Sequence, residues 1–151
     1  MPTPGCLFCR IARGEEPGAL VLDAGPVVAF LDHRPLFPGH CLVVPRAHVP
    51  TLGDLPEALT APLWNAVRVL TGAVERALEA HGSFVAVNNR VSQSVPHLHV
   101  HVVPRRRGDG LRGFFWPRGR YGDAEEMEAV RRRIASALAE GGLLDLPRRS
   151  C

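Results

Sequence analysis

Residues 97–103 read His97-Leu98-His99-Val100-His101-Val102-Val103, and this alternation of imidazole and aliphatic side chains decides how the chain is read. In an extended strand successive side chains point to opposite faces, so the three histidines project to one side and Leu98, Val100 and Val102 to the other. The rise per residue spaces the imidazoles roughly 6.5 Å apart. Histidine fills a strand poorly, and neighbouring imidazoles repel when protonated, so a row with no task costs stability without return. Three tasks suit it: metal binding, general acid and base work, or nucleophilic attack. Neutral imidazole is an appreciable nucleophile near neutral pH and forms a phosphoramidate with phosphorus that is later displaced. Residues i, i+2 and i+4 of a flat strand lie too far apart for all three to bind one ion at about 2.0–2.1 Å.

Outward from this strand, Phe84-Val-Ala-Val87 and Cys41-Leu-Val-Val44 read as further strands, the latter bounded by Pro38-Gly39 and Pro45. Ala19-Leu-Val-Leu22 and Val27-Val-Ala-Phe-Leu31 are joined at Asp23-Ala-Gly-Pro26, a hairpin signal. From Asp54 to Ala80, Leu59, Leu63, Val67, Leu70, Val74 and Leu78 form one helical stripe. Asp54 with Glu57 is the expected cap, Gly82 the expected stop, and Pro62 is expected to delay or kink the start. A second helix is predicted from Glu125 to Glu140 on Met127, Val130, Ile134 and Leu138, capped by Asp123 with Glu126. The first three strands follow one another without a crossover helix. The expected fold is therefore α+β: a five-stranded, mainly antiparallel sheet with one long helix and a C-terminal helix. One domain over 1–151 is expected, with its core at about 6–117 and a helical extension at about 123–141.

Composition excludes several classes. With 46% hydrophobic and 22% charged residues, the chain is neither disordered nor fibrous. No apolar run approaches the roughly 20 residues of a membrane span, and Met1 to Cys9 lacks the features of a signal peptide, so a cytoplasmic protein is expected. The net charge is +3 and all 18 basic residues are arginine, a usage that GC-rich codons alone produce. Nine of them lie between Arg105 and Arg133. The Arg105–Arg118 stretch also carries Phe114, Phe115 and Trp116, suited to closing over a polyphosphate or base, or to packing between subunits. No Gly-rich phosphate loop or dinucleotide fingerprint is present, and nothing reads nucleic acid specifically.

Four cysteines without an export signal do not indicate a disulfide framework. Cys41 reads as a small buried hydrophobe. Cys6-Leu-Phe-Cys9 has the spacing of a zinc half-site, for which His33, His40, His48, His81 and His97 are the candidate completing ligands.

The His-x-His-x-His-x-x run with apolar x resembles the signature of the histidine-triad (HIT) family of nucleotide hydrolases and transferases. Cys6-Leu-Phe-Cys9-Arg-Ile-Ala-Arg-Gly-Glu-Glu-Pro17, Val28-Ala-Phe-Leu-Asp32 and Pro38-Gly-His-Cys-Leu-Val-Val-Pro-Arg-Ala-His48 resemble further segments of that family. The resemblance runs from about Cys6 to Pro117. It implies an antiparallel five-stranded fold that dimerises, and one structural zinc held by Cys6, Cys9, His48 and His97. It implies that His99 is the nucleophile toward the α-phosphate of a purine nucleotide and that His101 binds phosphate oxygens and the leaving side. Asp32 is implied for the ribose, and Asn88, Gln93 and Ser94 for phosphate and leaving group. The stretch between Asn88 and His97 is shorter than in many relatives and lacks their glycines. The substrates implied are dinucleoside polyphosphates or nucleoside phosphoramidates. Transfer to another acceptor, and a regulatory nucleotide-binding role, are the alternatives; uridylyltransferase relatives carry glutamine at the position of His101, which favours hydrolysis.

Overall fold

The computed structural model describes residues 5–111 and 119–140. They belong to two compact units, Met1–Gly110 and Leu111–Cys151. The first unit contains β1 (Leu20–Asp23), β2 (Val27–Leu31), β3 (Cys41–Pro45), β4 (Gly82–Ala86) and β5 (Val100–Arg105), with helices α1 (Leu7–Arg13) and α2 (Glu57–Ala77). The strands form one sheet in the order β1-β2-β3-β5-β4, antiparallel at every pairing. The second unit contributes α3 (Ala124–Glu140). No helix of the described residues is long and apolar enough to cross a membrane.

The helical stripe read from the sequence is the buried face of α2: Leu63, Ala66, Val67, Leu70 and Val74 close over one face of the sheet, on Val27, Ala29, Cys41, Val43, Val100 and Val102. The other face carries Val28, Phe30, Leu42 and Val44, covered by Phe8, Ile11 and Ala12 of α1. Being covered on both sides, β2 and β3 are apolar at nearly every position. In the β3–β5 register Leu42 opposes His101 and Cys41 opposes Val102. The histidines therefore share the face covered by α1, and the aliphatics between them share the core under α2.

Several boundaries differ from the expectation. β5 begins at Val100 and not at His97. Its partner β3 ends at Pro45, which has no N–H to continue a ladder, and Leu98 N–H turns instead to the Val49 carbonyl at 2.6 Å. Residues 97–99 still alternate, because the aliphatic side chains stay in the core. Asp54 does not cap α2. It accepts from Thr51 Oγ1 at 2.6 Å and from Thr51 N–H at 3.2 Å, closing a short 3₁₀ turn at Leu52–Asp54, and α2 starts after Pro56. Pro62 lies inside the helix and does not delay it. The helix stops at Ala77, where Arg106 donates to the carbonyls of Leu78 and Glu79, and Gly82 opens β4. Asp123 does cap α3, accepting from Glu126 N–H at 2.7 Å.

The helix α1 was not foreseen. Its seven residues are too few for a periodic pattern to register, and an isolated helix of that length is unstable in water. Gly14 ends it in the left-handed conformation, φ 74°, donating to the carbonyls of Arg10 and Ile11. Arg46 ties its C-terminal end to the hairpin, donating to the Ala12 carbonyl, to Gly25 O at 2.6 Å and to Asp23 at 2.7 Å.

Candidate active site and metal centre

Two clusters of ionisable side chains lie on the α1 face. The first gathers Cys6 and Cys9 from the start of α1, His48 from the loop after β3, and His97 from the approach to β5. Their ligand atoms all lie within 4.8 Å of one another. Cys6 Sγ and Cys9 Sγ stand 3.4 and 3.5 Å from His97 Nδ1, and Cys9 Sγ stands 3.4 Å from His48 Nδ1. Tetrahedral zinc, with bonds of about 2.3 Å to sulfur and 2.0–2.1 Å to nitrogen, separates such ligand pairs by roughly 3.6 Å. The donor set and its spacing thus fit a metal ion. The completely buried ring of His97 donates from Nε2 to the Pro45 carbonyl at 2.8 Å, which leaves the Nδ1 lone pair facing the thiols. Burial, with the nearby imidazoles of His48 and His99, pushes the His97 pKa down to about 4.

The second cluster lies two to four residues further along the same segment. His99 is 3% exposed and donates from Nδ1 to the His97 carbonyl at 2.7 Å. That bond places the proton on Nδ1 and leaves Nε2 with a lone pair. The His101 ring lies 4.9 Å from the His99 ring. His40, just before β3, accepts from Leu36 N–H at Nδ1, 3.1 Å, and so carries its proton on Nε2, which donates to His101 Nδ1 at 2.9 Å. His101 must then hold its own proton on Nε2. That atom is buried and has no hydrogen-bond partner, and a buried donor left unmade costs about 1–3 kcal/mol. Burial, with the neighbouring His99 and His40 rings, holds the pKa of His101 down to about 4, and burial likewise lowers that of His40. Asp32, His40 and His101 also bring ligand atoms within 4.8 Å, but the bond from Leu36 fixes His40 as a donor toward His101. The arrangement is a chain of hydrogen bonds running from Leu36 through His40 to His101.

Both His99 and His101 open into a cleft of about 560 Å³, within the range of small-ligand sites. One wall is apolar, with Leu7, Phe8 and Ile11 from α1 and Phe30 and Leu42 from the sheet. Asp32 and Ser94 line the cleft as well. Asp32 accepts from Arg34 N–H at 2.9 Å, and its second oxygen is 3.8 Å from His40 Nδ1. Asn88 and Gln93 are both engaged in hydrogen bonds, Gln93 partly to a second loop. Asn88 Nδ2 donates to Ser92 O at 3.4 Å, while Gln93 accepts from Arg90 N–H at 2.8 Å and donates to Pro50 O at 2.7 Å. With Arg90 and Ser92 at φ 66° and 59°, the loop makes its tight path without glycine. Arg112–Arg118, the half of the basic and aromatic stretch that carries Phe114, Phe115 and Trp116, lies outside the described residues.

Two contributors escaped the sequence reading. His40 was only one of five candidate metal ligands, because its position beside His101 depends on the β3–β5 register. Leu7, Phe8 and Ile11 were overlooked with α1 itself.

The chain matches the HIT domain family over residues 13–108. It is 33% identical over 108 residues to an adenylylsulfatase of Arabidopsis thaliana, an alignment covering 70% of this chain and 55% of that protein's length. It is 28% identical over 142 residues to an adenosine 5'-monophosphoramidase of Candida albicans, covering 89% and 92% of the two chains. Among solved structures it resembles a zinc-bound histidine triad family protein from Mycobacterium smegmatis, with 33% identity, a TM-score of 0.68, and 91% and 97% of the two chains covered.

Proposed function

Because the chain belongs to the histidine-triad (HIT) family, we propose that it is a hydrolase acting at the α-phosphate of purine nucleotides. Its substrates on this reading are dinucleoside polyphosphates, such as diadenosine tetraphosphate, or nucleoside phosphoramidates. The observation that carries it is the pairing of His99, with Nε2 free to attack, and His101, with a buried Nε2–H that lacks an acceptor. A phosphate oxygen supplies that acceptor.

The base enters the apolar side of the cleft and the ribose hydroxyls donate to Asp32. His99 Nε2 forms a bond to the α-phosphorus while the bond to the leaving group breaks, and the leaving group departs with the electron pair and takes a proton from water. His101 holds the developing charge on the phosphate oxygens, and His40 keeps the His101 proton on Nε2. Water then cleaves the nucleotidyl–His99 bond, restoring the imidazole. Ser94 faces phosphate or leaving group, with Asn88 and Gln93 shaping its loop. Cys6, Cys9, His48 and His97 would hold one zinc ion per chain, which would brace the fold and take no part in the chemistry. Homodimerisation enters this reading from the family resemblance.

The test is turnover of adenosine 5'-phosphoramidate and diadenosine tetraphosphate by the wild type and by His99→Asn, with the quenched wild-type adduct mapped by mass spectrometry. Adenylylated His99 and an inactive variant are expected. An adduct on His97 or His101, or undiminished turnover by His99→Asn, refutes the assignment.

A further inference from the structure

The Cys6-Leu-Phe-Cys9 turn serves both clusters. Its two cysteines face His48 and His97, whereas Leu7 and Phe8 between them, with Ile11 one turn on, form a wall of the cleft. Phe8 is 6% exposed and touches the reacting side directly. Its ring meets His99 edge-on at 5.1 Å and 83°, meets His97 at 6.1 Å, and rests on Phe30 at 5.3 Å. A second constraint on the His99 ring is the carbonyl of His97, itself a residue of the thiol cluster. Of the neighbours of the His99 ring, Phe8 and His97 thus belong to the thiol cluster or to the turn between its cysteines, and the third is the His101 ring.

Beyond the thiol cluster, α1 is held by the burial of Phe8, Ile11 and Ala12 on the sheet and by Arg46 at its C-terminal end. It has two turns, and its N-cap Cys6 makes no capping side-chain hydrogen bond, so its order depends on docking. Its far side is tightly wedged: a Cβ at Gly18 would stand 2.6 Å from Ile11 Cγ2, on a β-branched side chain with little freedom to turn away. Because Leu7, Phe8 and Ile11 belong to the same short helix as Cys9, the position of the cleft wall follows the docking of α1.

We infer that Phe8 is a positioning residue that couples metal occupancy of the Cys6, Cys9, His48 and His97 cluster to nucleotide binding and to the orientation of His99. The inference rests on the nucleotide and zinc readings above. Coupling of two binding equilibria is reciprocal, so nucleotide must strengthen metal retention by the factor by which metal strengthens nucleotide binding.

The experiment uses the full chain, zinc-loaded or stripped with chelator, with AMP as the probe and calorimetry as the readout. AMP should bind the loaded form at least about fivefold more tightly than the stripped form, and AMP should raise zinc affinity by the same factor against a chromophoric chelator. Phe8→Ala, still carrying one zinc, should weaken AMP binding and shift the His99 ring-nitrogen resonances, and Phe8→Leu should restore part of the affinity. Equal AMP affinity in loaded and stripped protein that both retain the sheet by circular dichroism overturns the coupling. Should the stripped chain unfold, the loaded variant decides: unchanged AMP affinity and unchanged His99 resonances in Phe8→Ala overturn it. Absence of AMP binding in every form overturns the nucleotide reading itself, a result distinct from equal binding in both.

Discussion

His97 and His101 stand four residues apart in one extended segment, and both have pKa values pushed down to about 4, yet their surroundings differ in the respect that separates bracing from chemistry. Around His97 every group is turned inward: Nε2 is bonded to Pro45 O, and Nδ1 meets two thiols that also face His48. Around His99 and His101 one nitrogen of each ring is left over, one bearing a lone pair and one an unpaired proton, and both residues line a cleft. A closed set of donors suits a metal with no free coordination position, while the open pair suits a ligand that arrives and leaves. Burial and depressed basicity alone do not distinguish the two.

The largest expected effect falls on the open side. His99→Asn should lower turnover on the order of a thousandfold or more, while AMP affinity stays within roughly tenfold, about 1.4 kcal/mol, because base, ribose and remaining phosphate contacts persist. Single-turnover kinetics beside calorimetry separates the two quantities, and a parallel loss of both would erase the distinction between catalytic and binding groups.

Breaking the closed side should act first on stability. Cys6→Ser, or chelation, should cost roughly 3–4 kcal/mol and lower the melting temperature by about 10 °C, less than structural zinc contributes in small peptides because this domain has its own core. Elemental analysis before and after treatment links the shift to metal. An unchanged melting curve on complete metal loss would remove the bracing role.

His40→Ala sharpens the comparison within the open side. It deletes the donor to His101 Nδ1 without touching the cleft or the thiol cluster, so turnover should fall about 10–100-fold, the usual range for orienting partners of a functional imidazole. Zinc content should stay at one per chain. Unimpaired turnover would mean that His101 holds its tautomer unaided.

The smallest effect is on pH dependence. His101 has a folded pKa of about 4 against 6.5 for the free side chain, so the unfolded chain takes up this proton first as pH falls. Its contribution is fully present above about 6.5 and is lost progressively toward about 4. Because the ring is partly open to solvent, on the order of 1 kcal/mol is expected. Urea midpoints between those limits should decline less steeply for His101→Gln; equal slopes would leave the proton uptake with other groups.

Sequence periodicity located all five strands and both longer helices to within a few residues, because alternation and the stripe of threes and fours are imposed by which side chains must leave water. It failed where a local signal met a competing partner. Asp54 found Thr51 before it could serve α2, Pro45 ended the ladder that His97 was expected to join, and α1 was too short to leave a period. Nor does periodicity foresee that the Gln93 amide ties together two loops distant in sequence, accepting from Arg90 N–H and donating to the Pro50 carbonyl.

What the sequence determined by itself was the facing of residues 97–103: a strand's period of two sends His97, His99 and His101 to one side and Leu98, Val100 and Val102 to the other, whatever the rest of the chain does. What each histidine can do was decided by tertiary structure alone. The β3–β5 register brought His40 beside His101, the docking of α1 brought the two thiols to His97 and Phe8 to His99, and the carbonyls of Pro45 and His97 settled which nitrogen carries each proton. An imidazole has two nitrogens with opposite roles, and only its neighbours in space choose between them.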